Sequence, residues 1–174
     1  MLDIVKLSAR YAVRPMTAAD ADTILALCRG NALYYRYCGM EATREQVLTD
    51  LRLAPPGVGP EDKHYVGFYE DGSLAAVLDL IDGYPTTETA YIGFFMVSAD
   101  LQGRGVGSGI IGDVCAYLRG AGKTAVRLAI AGDNPQANHF WRKNGFRVVK
   151  SVPMDGWTAL VAEKALRERE EDFT

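Results

Sequence analysis

The sequence predicts an α/β (α+β) fold built on one mixed, mostly antiparallel sheet, and three observations predict it. Two apolar runs, Lys63–Tyr69 and Leu74–Ile81, flank an Asp71–Gly72 turn and read as a β-hairpin. Farther on, a strand at Ala90–Val97, a helix from about Val106 to Arg119 and a buried-type strand at Ala125–Ile130 form one β-α-β crossover. Two closing strands, Phe146–Ser151 and Thr158–Glu163, meet around a turn at Asp155–Gly156. Hairpins make antiparallel neighbours and a crossover makes parallel ones, so the sheet cannot be of one kind.

The elements follow in order. Tyr11–Arg14 is a short strand closed by Pro15. Thr17 stands as an N-cap with Asp20 three residues later, ahead of a helix carrying Ile24, Leu25 and Leu27 as far as Gly30. Thr43 opens a second helix by the same chemistry, with Val47, Leu48 and Leu51 on one face until Pro55–Pro56 stop it. Between these helices Tyr34, Tyr35 and Tyr37 make an aromatic connection, and Pro55–Pro60 is a Pro/Gly loop. A turn near Gly83–Pro85 precedes the third strand of the hairpin half, and Pro135–Lys143 is the last helix. The order β-α-α-β-β-β-α-β-α-β-β gives about seven strands and about four flanking helices. Residues 10–165 are expected to form a single domain, with 166–174 as a charged, solvated tail.

A chain of 174 residues, 48% of them hydrophobic, is long enough for one sizeable core. The formal charge of −3 and pI near 5.4 leave no field that attracts nucleic acid or an anionic membrane. Cys28, Cys38 and Cys115 are odd in number and scattered, and His64 and His139 stand far apart, so reduced thiols and no metal site are expected. No basic-then-apolar leader opens the chain and no apolar run reaches the ~18 residues of a membrane span. A soluble, cytoplasmic protein is the expectation.

The crossover carries the chemistry. After the strand ending at Val97 comes Gln102-Gly103-Arg104-Gly105-Val106-Gly107-Ser108, and then an apolar helix. Glycines at 103, 105 and 107 let the backbone turn N–H groups toward an anion, and the helix start adds its own unpaired N–H groups and positive dipole end. Arg104 can add a charge at the rim. The assembly suits a pyrophosphate. Two other phosphate motifs overlap it and fail on context. Gly107-x-Gly109-x-x-Gly112, with Asp133 about 20 residues beyond, mimics a dinucleotide fingerprint, but that motif begins directly after its strand. Gly122-Lys123-Thr124 mimics the end of a P-loop, but Tyr117 stands where its first glycine belongs.

Gln102-x-x-Gly105-x-Gly107 resembles the Q/R-x-x-G-x-G/A motif of the GNAT acetyltransferase superfamily, between that family's fourth strand and third helix. Asn134-x-x-Ala137-x-x-Phe140-Trp141-x-Lys143-x-Gly145-Phe146 is similar to a second family segment. Topology and both motifs cover about residues 10–165. The resemblance implies acetyl-CoA as co-substrate, lying where the fourth and fifth strands splay apart. It implies that backbone groups of Met96 and Val97 hold the pantetheine and polarise the acetyl carbonyl, and that Gln102, Gly103, Arg104, Gly105, Val106, Gly107 and Ser108 take the pyrophosphate. Asn134 would bond the pantetheine, cap the last helix, or do both. The departure is Trp141: the family's usual tyrosine there protonates the leaving thiolate, and an indole cannot. Trp141 either packs along the pantetheine or anchors its helix to the sheet, and Tyr84, Tyr91, Tyr117 or water are the substitutes for the missing acid.

An attacking amine must lose a proton, so a base is needed. Asp79 interrupts the apolar run Val77–Ile81 and is the candidate, with Asp82 and Glu88 as turn residues nearby. Tyr34, Tyr35 and Tyr37 are candidates for the acceptor pocket, or for an aromatic cluster that packs helices onto the sheet. The expectation is an acetyl-CoA-dependent N-acetyltransferase acting on a small-molecule or peptide amine in a ternary complex, as a monomer or homodimer. A CoA-binding regulatory module without catalysis is the alternative, kept open by Trp141.

Overall fold

Seven strands form one sheet in the order β1-β2-β3-β4-β5-β7-β6 in the computed structural model, which describes residues 1–167. The strands are β1 (Ala12–Pro15), β2 (Lys63–Glu70), β3 (Ser73–Asp82), β4 (Thr89–Val97), β5 (Ala125–Ala131), β6 (Arg147–Pro153) and β7 (Thr158–Ala165). The helices are α1 (Ala21–Arg29), α2 (Ala32–Cys38), α3 (Arg44–Asp50), α4 (Val106–Gly120) and α5 (Pro135–Lys143). Strands β4 and β5 pair in parallel across the α4 crossover, and the other described neighbours pair antiparallel. Of the stretch expected as a charged tail, Leu166 packs into the core, while residues 168–174 lie outside the described residues.

Alternation along β3 shows how the sheet is buried on both faces. Leu78 and Leu80 point toward α4, where Ile110, Ile111, Val114 and Leu118 meet them with Val126 and Leu128 of β5. Val77 points the other way, against Ile24, Leu27 and Cys28 of α1, Val47 of α3 and Met96 of β4. Full burial of each such aliphatic side chain stabilises the fold by about 1.5–3 kcal/mol.

Helix starts follow the capping chemistry in the sequence. Thr17 and Asp20 form a reciprocal capping box at the short turn leading into α1. The Thr43 hydroxyl accepts from the Gln46 N–H at 3.1 Å, and the Asn134 side chain accepts from the Ala137 N–H at 3.1 Å. Each such cap stabilises its helix by about 1 kcal/mol. One helix departs from expectation: the tyrosine-rich connection folds as α2. No side chain caps its start, because the Asn31 amide nitrogen donates instead to the Leu27 carbonyl at 2.9 Å. Gly39, at φ +63°, ends it in the left-handed conformation that glycine adopts without steric penalty.

Candidate active site

The β4–β5 pairing runs only from Thr89/Ala125 to Ile92/Leu128, so the strands part from Gly93 onward. On the other side of β4, Asp79 stands opposite Phe94 and Leu80 opposite Ile92, which skips Gly93. Gly93 therefore has no register partner on either neighbouring strand, a bulge at the mouth of the splay. A Cβ at Gly93 would lie 2.6 Å from Asp79 Oδ2, so only glycine lets that carboxylate lie across β4. The sequence motifs point to Met96 and Val97 and pass over Gly93. An isolated glycine in an apolar strand is the available signal.

A cleft of about 510 Å³ lies beside the end of β4 and is lined by Met96, Val97, Gln102, Gly103, Gly105, Val106, Gly107 and Ser108. Gly103 and Gly105 adopt φ +73° and +77°, and Gly105 stands at the N-cap of α4 with no side chain capping the helix. The first N–H groups of α4 thus face the cleft without intrahelical acceptors, which is the arrangement an anion requires. At Gly107 a Cβ would lie 3.1 Å from Phe140 and 3.2 Å from Val97, so its absence lets α4 sit close to β4 and α5. Arg104 is exposed and does not line the cleft.

Gln102 uses its side chain differently from its backbone. Its amide nitrogen donates to the Val97 carbonyl at 3.0 Å and to the oxygen of Asn31, which itself donates to Val97 at 3.3 Å. Asn31 is buried, and no motif in the sequence marks it as part of the site. The pair satisfies the last carbonyl of β4 and ties the phosphate-type turn to the α1–α2 junction.

On the far wall, Asn134 is buried and lines both this cleft and a second cavity of about 710 Å³ in the β4–β5 splay. Its oxygen is the α5 cap, so capping and a place in the cleft coexist. Trp141 likewise lines both spaces while its ring packs on Phe95, Phe140 and Phe146 at centroid distances of 6.0, 4.9 and 5.0 Å. It is a helix anchor and a cleft wall together. Of the phenols suggested to replace the acid, Tyr117 accepts from the Asp3 N–H at 2.7 Å, and Tyr84 stacks edge-on against Tyr91. None of the three lines either space beside Trp141.

A third cavity, about 450 Å³, opens on the α1–α3 side of the sheet and shares Tyr34, Gly93 and Phe94 with the splay. Tyr34 and Tyr35 line it, while Tyr37 lines the splay instead. Asp79 is buried in its wall, with Oδ2 accepting from Lys63 Nζ at 2.6 Å and Oδ1 without a hydrogen-bond partner. Burial pushes the Asp79 carboxyl up to about 6, against the opposing pull of Lys63. Asp50 also lines the cavity; burial raises its carboxyl, although Gln46 Nε2 donates to Oδ1 at 2.8 Å. Asp82 pairs instead with Lys123, and Glu88 is exposed.

The two rejected phosphate motifs have structural roles. Gly109 and Gly112 lie within α4, not in the turn before it, and Lys123 donates to the Thr87 carbonyl at 2.8 Å.

A seven-stranded mixed sheet with a single parallel splay, a bulged fourth strand and an uncapped helix start beside it define an α/β fold with an anion cradle at the crossover. The chain belongs to the GNAT family of acetyltransferases, whose family model matches residues 24–146. An acetyltransferase from Thermus thermophilus is similar at 26% identity and TM-score 0.73, covering 89% of this chain and 96% of that one. The PaiA N-acetyltransferase of Thermoplasma acidophilum, solved with coenzyme A, shares the fold at 16% identity and TM-score 0.65, over 89% and 98% of the chains. YncA of Salmonella typhimurium, solved with its cofactor acetyl-CoA, does so at 16% identity and TM-score 0.63, over 92% and 96%. No curated protein sequence matches the chain. No helix among the described residues is long and apolar enough to cross a membrane.

Proposed function

We propose that this chain transfers the acetyl group of acetyl-CoA to a primary amine by direct attack, with both substrates bound. The observation that carries the reading is the shared wall: Gly93 and Phe94 border both the splay and the cavity holding Asp79. A donor entering by the α4 cradle and an acceptor entering from the α1–α3 side then meet at the β4 bulge. The cradle N–H groups between Gln102 and Ser108 hold the pyrophosphate. Met96 and Val97 flank the pantetheine, with Asn134 and Trp141 opposite. A backbone N–H at the β4 bulge stabilises the charge that develops on the carbonyl oxygen. Asp79, ionised above pH ~6, takes the amine proton directly or through water.

The leaving thiolate has an ordinary pKa near 8–9 and leaves with modest help. Tyr34 lines all three spaces. Burial raises its pKa, so it keeps its proton at neutral pH and is placed to act as the donor that Trp141 cannot be. Tyr34→Phe is therefore expected to lower kcat about 10²-fold, the low end for lost acid–base help, with little change in acetyl-CoA KM. Trp141→Phe should do the reverse, raising that KM and sparing kcat. Steady-state kinetics of the two variants checks the assignment.

Trp141 also sustains a second reading, a CoA-binding module without catalysis. Thiol release from acetyl-CoA across an amine panel separates the two. Acceptor-dependent thiol is the expected result; tight CoA binding with no acceptor-dependent thiol overturns the enzyme reading.

A further inference from the structure

The acceptor cavity has an unusual balance of charge. Among the described residues lining it there are two carboxylates, Asp79 and Asp50, and neither lysine nor arginine. Lys63 pairs with Asp79 from behind the wall, with its side chain only 6% exposed, and its charge also pulls on Asp50, so one cation is set against two carboxylates. Asp50 has the neutral Gln46 amide as its hydrogen-bonding neighbour and is left without a paired cation among the described residues. Oδ1 of Asp79 is buried without a partner in a residue 8% exposed. Buried carboxylate oxygens in this state cost free energy until a donor reaches them. Four of the remaining walls, Tyr34, Tyr35, Tyr91 and Phe94, are aromatic, and most of the others are aliphatic. Aromatic faces attract ammonium groups and also accommodate a methylene chain.

Resting on the acetyl-transfer reading, we propose that the acceptor is a compact aliphatic diamine: one amine is presented to Asp79 and Gly93 while the second, as an ammonium, pairs with Asp50. The same balance works against amino acids and other acceptors whose carboxylate lies beside the reacting amine. Such a carboxylate would enter a wall already bearing two negative groups, with no cation lining it to receive it. At about 450 Å³ the cavity is large enough for a short diamine and falls within the range of small-molecule sites. The reaction balances without further reagents: the free amine forms the new amide bond, the thioester C–S bond breaks, and the amine proton passes to Asp79 while CoA leaves as thiolate.

The test uses the full chain, acetyl-CoA and three acceptor sets: straight-chain diamines of three to six carbons, monoamines of matching length, and α-amino acids. For at least one diamine, kcat/KM should exceed that of the matching monoamine by about tenfold or more, as a charge-assisted pair predicts. Asp50→Asn, which retains an oxygen for Gln46, should collapse that ratio toward one. Thermal shift with the diamine alone gives a readout independent of turnover: stabilisation of the wild type, reduced in Asp50→Asn. Turnover with no diamine preference, or with amino acids preferred, overturns this inference and leaves acetyl transfer standing. Asp50-dependent diamine stabilisation without any thiol release overturns acetyl transfer, and with it the diamine's role as acceptor, and leaves only diamine binding at Asp50 standing. Neither thiol release nor stabilisation overturns both.

Discussion

Asp79→Asn is expected to lower kcat by about 10²–10⁴-fold, the usual contribution of a general base, while acetyl-CoA binding stays near the wild-type level. The asparagine keeps an oxygen for Lys63, so the buried ammonium retains a hydrogen-bond acceptor and the wall at Gly93 keeps its shape. In the wild type the acid limb of the kcat/KM profile should rise through pH ~6, because the carboxyl must be ionised to accept a proton and burial holds it near that value. The limb should vanish in Asp79→Asn. Lys63→Met supplies the complementary shift: without the cation that pulls the Asp79 pKa down, the limb moves upward, and activity lost at neutral pH returns at higher pH. A structural role for Asp79 would produce neither the missing limb nor its displacement.

The same titration has a stability consequence. The folded-state pKa of Asp79 lies above the ~3.9 of an unfolded aspartate, so the native protein binds more protons between these values. This group's contribution to stability is therefore greatest below pH ~4, falls as pH rises through ~6, and is level above. Melting curves of wild type and Asp79→Asn across that window should diverge as pH rises, and the difference isolates the one carboxylate.

Much of this site was legible in the chain because glycine spacing and helix caps are local properties. The turn from Gln102 to Ser108, the Asn134 cap and the crossover depend on neighbours a few residues apart, and a sequence displays those directly. What stayed hidden depends on register. The hairpin turn sets Glu70 opposite Ser73 and Tyr69 opposite Leu74, but a one-residue slip then places Phe68 opposite Ala76. That slip puts Asp79 opposite Tyr65, on the face where Lys63 reaches it; without it, the same turn would set Asp79 against His64. Alternating apolar residues fix which faces are buried, yet they do not reveal where an extra residue enters a ladder. The second bulge, at Gly93, was hidden for the same reason. Helix α2 was missed differently: three tyrosines among seven residues give no helical apolar spacing, and its Asn31 lead is a buried tie to Val97, not a cap.

Gly105→Val and Gly107→Val are expected to weaken acetyl-CoA binding tenfold or more, whereas Gly109→Ala and Gly112→Ala, in the same helix, should leave it unchanged. The contrast follows from what each position lacks. Gly105 holds φ +77° at the mouth of α4, and a β-branched residue there costs on the order of 1–2 kcal/mol or forces the turn to rotate its N–H groups away. Gly107 has the opposite problem: its backbone is ordinary, but a side chain would collide with Phe140 and Val97 and lift α4 from the strand it packs on. Either change misdirects donors whose value to a pyrophosphate lies in their convergence, and about 1.4 kcal/mol is already tenfold in affinity. Gly109 and Gly112 meet nothing within 4 Å at their Cβ positions, so alanine fits and should stabilise the helix by about 1 kcal/mol. Calorimetric titration of acetyl-CoA into the four variants decides between the overlapping motifs. A dinucleotide reading through Gly107–Gly112 requires sensitivity at 109 and 112, and an unchanged affinity in Gly105→Val would remove the cradle assigned to residues 102–108.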